Sequence, residues 1–212
     1  MALHPGISFC SFKVETFINL FLAFFHMDHL NNLVTELEKC RIKLSTVPLS
    51  QVNPNNVSDH CAVKGRIAEV MVKSWLGQCP GVVFDDPLPS EVNGYTLEKR
   101  DSGVVVLEGT KTIHEYDFLV SYVGRPIIVE VKSLKLNGVQ SKIPRAFSLY
   151  NEIFPERRNV AMLLFFPAYG NKKRDAESME RCHSQLRCVD LGYKRKQLDS
   201  AVRSFYDQFS KR

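Results

Sequence analysis

The stretch that most constrains this chain runs from His114 to Ser133, HEYDFLVSYVGRPIIVEVKS. Two apolar runs flank Val123-Gly124-Arg125-Pro126, a turn signal. Folded as a hairpin with Gly124 and Arg125 at the tip, it sets Asp117 opposite Lys132 and Leu119 opposite Glu130. Directly opposed residues share a face, as do residues two apart on one strand. Asp117, Glu130 and Lys132 therefore converge on one patch. The other face collects Phe118, Val120, Tyr122, Ile127, Val129 and Val131, all apolar or aromatic. Two carboxylates and an ammonium among apolar neighbours are not what a plain surface hairpin carries.

The helix before this hairpin adds a third acid. Ser58-Asp59 is an N-cap signal, and a helix is expected from there to about Leu76. Val63, Ile67 and Val70 form its core stripe. Ala62, Gly65, Glu69 and Leu76 line up on another side, at helical spacings. Glu69 is thus an acid on a helix that is apolar nearly all round. Gly65, one turn earlier, leaves room for another backbone or a substrate. Taken alone, Glu69 pairs with Lys73 as a surface i, i+4 couple. An acid opposite a lysine on a hairpin is likewise an ion pair worth a fraction of a kcal/mol. It is the combination of all four residues that points to chemistry.

The rest of the chain supplies the frame. At 212 residues, 44% hydrophobic and 24% charged, it is long enough for one well-cored globular domain. Phe17 to Phe25 is an apolar run too short to span a bilayer, which takes about 20 residues. From Met27 the pattern turns amphipathic, with Leu30, Leu33, Val34 and Leu37 at helical spacing. This helix serves either as a dimer element or as packing for its own domain. Pro48 and VNPNNV close it, so residues 1–50 read as an N-terminal helical extension and 51–212 as the main domain. A short strand is expected at 82–84 and another at 104–107, with 85–103 turn-rich and unassigned. After the hairpin come a helix over 143–154 and a continuous apolar strand over 159–166, as in a central strand covered on both faces. A basic loop at 171–174, a helix over 175–186, a strand over 188–191 and a closing amphipathic helix over 196–209 follow. This order gives an α/β fold with a mixed sheet and helices on both faces.

A net charge of +5 permits a polyanionic partner. The six cysteines are scattered, with no C-x-x-C pair, which suits reduced thiols in an intracellular protein. Mg²⁺ takes one or two carboxylates and keeps several waters. Asp117 and Glu130 supply the carboxylates, and the main-chain carbonyl of Val131 a further ligand. Glu69 binds a second ion or orients a metal-bound water. Lys132 either stabilises charge at a scissile phosphate or helps deprotonate the attacking water. This is apparatus for phosphodiester hydrolysis.

The pattern of Asp117, twelve residues, then Glu130-Val131-Lys132 resembles the PD-(D/E)XK nuclease superfamily. KGRIAEVMVKSWLG, with Lys64, Gly65 and Glu69, is similar to the opening helix of archaeal Holliday junction resolvases. YDFLVSYVGRPIIVEVKS resembles their active-site hairpin, in the manner of a virus-encoded archaeal member. The match covers residues 58–76 and 114–133. The resemblance implies a restriction-endonuclease-like fold and a Mg²⁺- or Mn²⁺-dependent DNA endonuclease, with Glu69, Asp117, Glu130 and Lys132 as its catalytic set. It also implies a substrate of branched or duplex DNA. A homodimer is expected because two copies suit a two-fold junction, and no membrane partner is expected because the 17–25 run is short. Tyr116 stands where the motif has proline, and Gln140 or Lys142 takes the uncertain fourth position. DNA contacts are expected from Lys64, Lys135, Lys142 and Arg145. The competing reading is a DNA-binding or assembly module that keeps the fold without useful catalysis.

Overall fold

A computed structural model describes residues 29–52, 59–84, 90–101, 103–133, 148–150, 152–153, 160–169, 172–183 and 185–209. Residues 17–25, Lys135, Gln140, Lys142 and Arg145 lie outside them, as does most of the helix expected over 143–154. Residues 148–150 and 152–153 of that stretch are helical.

The chain is a mixed α/β protein built on two sheets. In chain order the strands are β1 (Val82–Val83), β2 (Glu91–Val92), β3 (Tyr95–Arg100), β4 (Gly103–Glu108), β5 (Lys111–Tyr116), β6 (Phe118–Tyr122), β7 (Arg125–Val131), β8 (Ala161–Phe166) and β9 (Leu186–Asp190). The main sheet has the order β1-β6-β7-β8-β9. Its first two pairings are antiparallel and its last two parallel. The second sheet, β2-β3-β4-β5, is antiparallel throughout. It occupies the region where the sequence left 85–103 unassigned. The expected hairpin is therefore split. β5 pairs with β4 in one sheet, the chain bends at Asp117, and β6 pairs with β7 in the other.

The hairpin register also differs from the expected one. The two tip residues are Val123 and Gly124, both with positive φ (50° and 74°). A two-residue hairpin turn of this hand needs φ > 0 at both positions and favours glycine at the second. Phe118 thus pairs with Val129 and Leu119 with Ile128, two residues earlier than the sequence suggested. A slip of two leaves every side chain on its original face, because the strand period is two. Phe118, Val120, Tyr122, Ile127, Val129 and Val131 do share one core cluster. Leu119 and Ile128 join the cluster on the opposite face.

Helices cover the first of these faces. α1 (described over 29–39), α2 (His60–Gln78) and α4 (Arg195–Phe209) pack there. Asp59 caps α2, its Oδ1 accepting from the backbone N–H groups of Cys61 and Ala62, each at 2.8 Å. Leu198, Val202 and Phe205 are the buried stripe of α4. On the other face lie the second sheet, the helical residues around Tyr150, and α3 (Lys172–Cys182). α3 starts at Lys172, so the expected basic loop at 171–174 is in large part the first turn of a helix. β8 separates the two faces, with Leu163 and Phe165 on one side and Met162 and Leu164 on the other, all at 0% exposure.

Over its described part, the segment before residue 50 packs on its own domain, the second of the two readings of this helix. Leu30, Leu33 and Leu37 are buried in the same cluster as α2 and α4. The indole N–H of Trp75 donates to the Leu37 carbonyl at 2.7 Å, tying α1 to α2 inside the core. No helix among the described residues is long and apolar enough to cross a membrane.

Leu33→Ala should therefore destabilise the folded monomer by about 2–5 kcal/mol, the range for deleting a buried leucine side chain. Denaturant unfolding at several protein concentrations checks this. A loss of stability that appears only where dimers form would return α1 to the role of a dimer element.

Candidate active site

The site begins at the bend between the sheets. Gly103 makes the bend feasible. A Cβ placed there would stand 2.6 Å from the Tyr116 carbonyl oxygen and 3.1 Å from that of Asp117. With no side chain, β4 runs tight beneath the corner and β5 can leave its sheet. Asp117 sits at that corner, and its Oδ2 accepts a 2.6 Å hydrogen bond from the Val131 N–H. The bond fixes the carboxylate against the end of β7. In an extended strand a residue's N–H and C=O leave on the same side, so the Val131 carbonyl faces the corner as well.

Glu130 lies one residue earlier on β7 and is 2% exposed. Its Oε1 accepts from Lys132 Nζ. Its Oε2 is buried and makes no hydrogen bond among the described residues. Lys132 is held from behind, its backbone N–H donating to the Phe165 carbonyl at 2.8 Å. Glu69 reaches the site from α2. It shares with Asp117 a cleft of about 470 Å³, also lined by Arg66, Lys73, Arg100 and Glu115. Its ion-pair partner is Arg66, at 2.6 Å, rather than Lys73. Gly65 admits no other backbone here; the nearest atom to a Cβ at that position is Glu69 Oε1, at 3.8 Å.

The electrostatics are those of crowded acids. Burial pushes the Asp117 carboxyl well above its ordinary range, and the charges of Glu130 and Glu69 push it further. The Val131 N–H and the Lys132 ammonium offset only part of this. For Lys132, burial disfavours the charged form, but the charge and hydrogen bond of Glu130, with Asp117 and Glu69, outweigh it and raise the pKa. The Arg66 guanidinium is stabilised chiefly by its hydrogen bond to Glu69.

The structure thus places Glu69 and Asp117 on one cleft and joins Asp117, through the Val131 N–H, to the end of β7 that carries the Glu130–Lys132 pair. Among the described residues, no three His, Cys, Asp or Glu side chains gather closely enough to form a preformed metal cage. Asp117 and Glu130 nonetheless fit a divalent cation. One carboxylate oxygen is buried without a hydrogen-bond partner among the described residues, and the neighbouring carboxyl resists ionisation because it is buried and stands beside other acids. Two carboxylates and a carbonyl are the donor set of an ion that keeps several waters.

The expected DNA contact at Lys64 is corrected. Lys64 is 5% exposed, and its ammonium is paired with Asp199 of α4 inside the helical layer. A buried, paired ammonium offers nothing to a phosphate. Arg66, Lys73 and Arg100, by contrast, line the cleft beside Asp117. Arg66 and Lys73 share a helix face with Glu69 at spacings of three and four, a signal present in the sequence. Arg100 is brought in only by the second sheet. His114 was also missed. Its Nε2 lies 3.9 Å from Glu130 Oε2.

A carboxyl whose folded pKa lies above its unfolded value near 3.8 withdraws stability as pH rises from that value through the folded one. Asp117→Asn keeps an acceptor for the Val131 N–H and removes the charge. In metal-free buffer it should melt at a higher temperature than wild type at pH 8, with the difference shrinking toward pH 4. Calorimetry at the two pH values checks this, and a variant less stable than wild type at pH 8 would refute the electrostatic picture.

Comparison with known proteins adds no family to this geometry: no family model matches the chain, and no curated protein or solved structure matches it significantly.

Proposed function

We propose that this protein is a divalent-metal-dependent DNA endonuclease of the PD-(D/E)XK type, acting on branched or otherwise structured DNA. The observation that carries the reading is the Asp117 Oδ2 to Val131 N–H bond at 2.6 Å. It joins the acid of the bend to the Glu130-Val131-Lys132 end of β7, which supports the reading of Asp117 and that tripeptide as one site.

Asp117, Glu130 and the Val131 carbonyl would hold Mg²⁺ or Mn²⁺. When bound, such an ion polarises a phosphoryl oxygen and lowers the pKa of a bound water. The chain's own residues do the rest. Lys132 is kept as the ammonium by Glu130, Asp117 and Glu69. That favours stabilising charge at the scissile phosphate over abstracting a proton. Glu69 lines the cleft opposite Asp117, where it can accept a hydrogen bond from an attacking water. Arg66, Lys73 and Arg100 surround the same cleft and can bind flanking phosphates. Two copies acting on the two strands of a four-way junction would suit its symmetry. Their interface cannot use Leu30, Leu33 and Leu37, which are buried within one chain.

Wild-type protein with Mg²⁺ or Mn²⁺ should cut a four-way junction, and gel analysis with linear duplex alongside reads the preference. Asp117→Asn and Glu130→Gln should each lower the rate by at least about 100-fold, the scale expected when preorganised charge stabilisation is lost. If wild type and both variants are equally inactive yet bind DNA with strong salt dependence, the fold serves as a binding module instead.

Arg66→Ala and Lys73→Ala should each weaken binding to all DNA sequences alike and reduce the salt slope by roughly 1, as for loss of one phosphate contact. Titrations at two salt concentrations measure this. An unchanged slope would move the DNA track away from this cleft.

A further inference from the structure

Two buried polar atoms beside the site face each other and make no hydrogen bond among the described residues. Glu130 spends Oε1 on Lys132, and its Oε2 has no hydrogen bond among the described residues. His114 Nε2 is equally buried and equally without a partner. They lie 3.9 Å apart. A direct hydrogen bond would need about 2.7–3.2 Å. Buried polar groups are rarely left unmatched, and each exception calls for an explanation such as a missing ion.

The separation suits two atoms that ligate one ion. Donors at about 2.0–2.2 Å from a shared metal stand roughly 3–3.5 Å apart, so a shift of several tenths of an ångström would close the pair. The imidazole is already aimed. The Tyr116 ring packs edge-on against it at 4.5 Å between centroids, and Tyr116 itself is fully buried. His114 and Tyr116 share one face of β5, and the bend at Asp117 brings that face over Glu130.

We propose that His114 contributes an imidazole nitrogen to the cation held by Glu130 and Asp117, so that this centre selects a first-row transition ion over Mg²⁺. The proposal rests on the reading of Asp117 and Glu130 as metal ligands and assigns the site a ligand that reading does not contain. Carboxylate, carbonyl and water oxygens suit Mg²⁺, whereas imidazole favours the transition ions. One histidine in the set therefore shifts selectivity. Tyr116 becomes a positioning residue, acting through the ring it holds.

The test reads the ion's ligands rather than turnover. Untagged full-length protein is loaded with Mn²⁺, and electron spin-echo envelope modulation records nitrogen coupled to the manganese. Wild type should show the modulation of a directly bound imidazole ¹⁴N, and His114→Gln should lose it while still binding Mn²⁺. Competition by Mg²⁺ supplies a second readout. The ratio of Mn²⁺ to Mg²⁺ affinity should fall by about tenfold or more in His114→Gln, whose fold is checked by its melting temperature. His114→Asn should behave alike. Mn²⁺ that binds in a Glu130-dependent manner but shows no nitrogen coupling, or coupling that survives in His114→Gln, overturns the assignment and leaves the nuclease reading standing. Failure of Mn²⁺ to bind wild type in any Glu130-dependent manner overturns both.

Discussion

The hydrogen bond from the Val131 N–H to Asp117 is the contact on which the site depends. It spans the corner where one strand leaves the second sheet and enters the first. Without it the bend would hold a half-buried acid with no donor among the described residues. With it, the carboxylate is fixed against Glu130 and Lys132. Gly103 is the other half of the corner, because only a residue without a Cβ lets β4 pass so close beneath the Tyr116 and Asp117 carbonyls. The two sheets are thus joined at the point where the acids meet.

That meeting is electrostatically unfavourable. Glu69 is paired with Arg66 and Glu130 with Lys132, while Asp117 has no cation of its own beside it among the described residues. Burial and the charges of Glu130 and Glu69 drive its carboxyl toward the protonated form. The surrounding core carries the strain. β8 is buried along its whole length, and the helical layer of α1, α2 and α4 seals the far face. Excess negative charge at a rigid corner is what a cation-binding site needs before its ion arrives. The same reasoning explains why removing the Asp117 charge is expected to stabilise the fold.

Much of this was legible in the sequence because it depends on short-range periodicity. The hairpin faces survived a register slip of two residues, since only odd slips exchange them. The Asp59 cap, the Val63 and Ile67 stripe and the apolar strand at 161–166 follow from local rules alone. The second sheet was not legible. Its strands β2 and β3 lie in a turn-rich stretch, and β3 alternates too weakly to announce itself. Nor could local pattern tell that Lys64 is spent on Asp199. The two residues are far apart in the chain, and a lysine beside a glycine on an amphipathic helix looks like a surface charge.

The sequence by itself determined which residues are candidates for chemistry and which face of the hairpin they occupy. Side-chain alternation along a strand is a local property of the backbone. Only the tertiary structure decided how those residues are arranged. It placed Asp117 at a corner instead of mid-strand, and it drew the helix at 29–39 into the core. It also set His114 beside the unpartnered oxygen of Glu130. Each of these depends on contacts between elements distant in the chain, and packing selects such contacts without leaving a periodic trace.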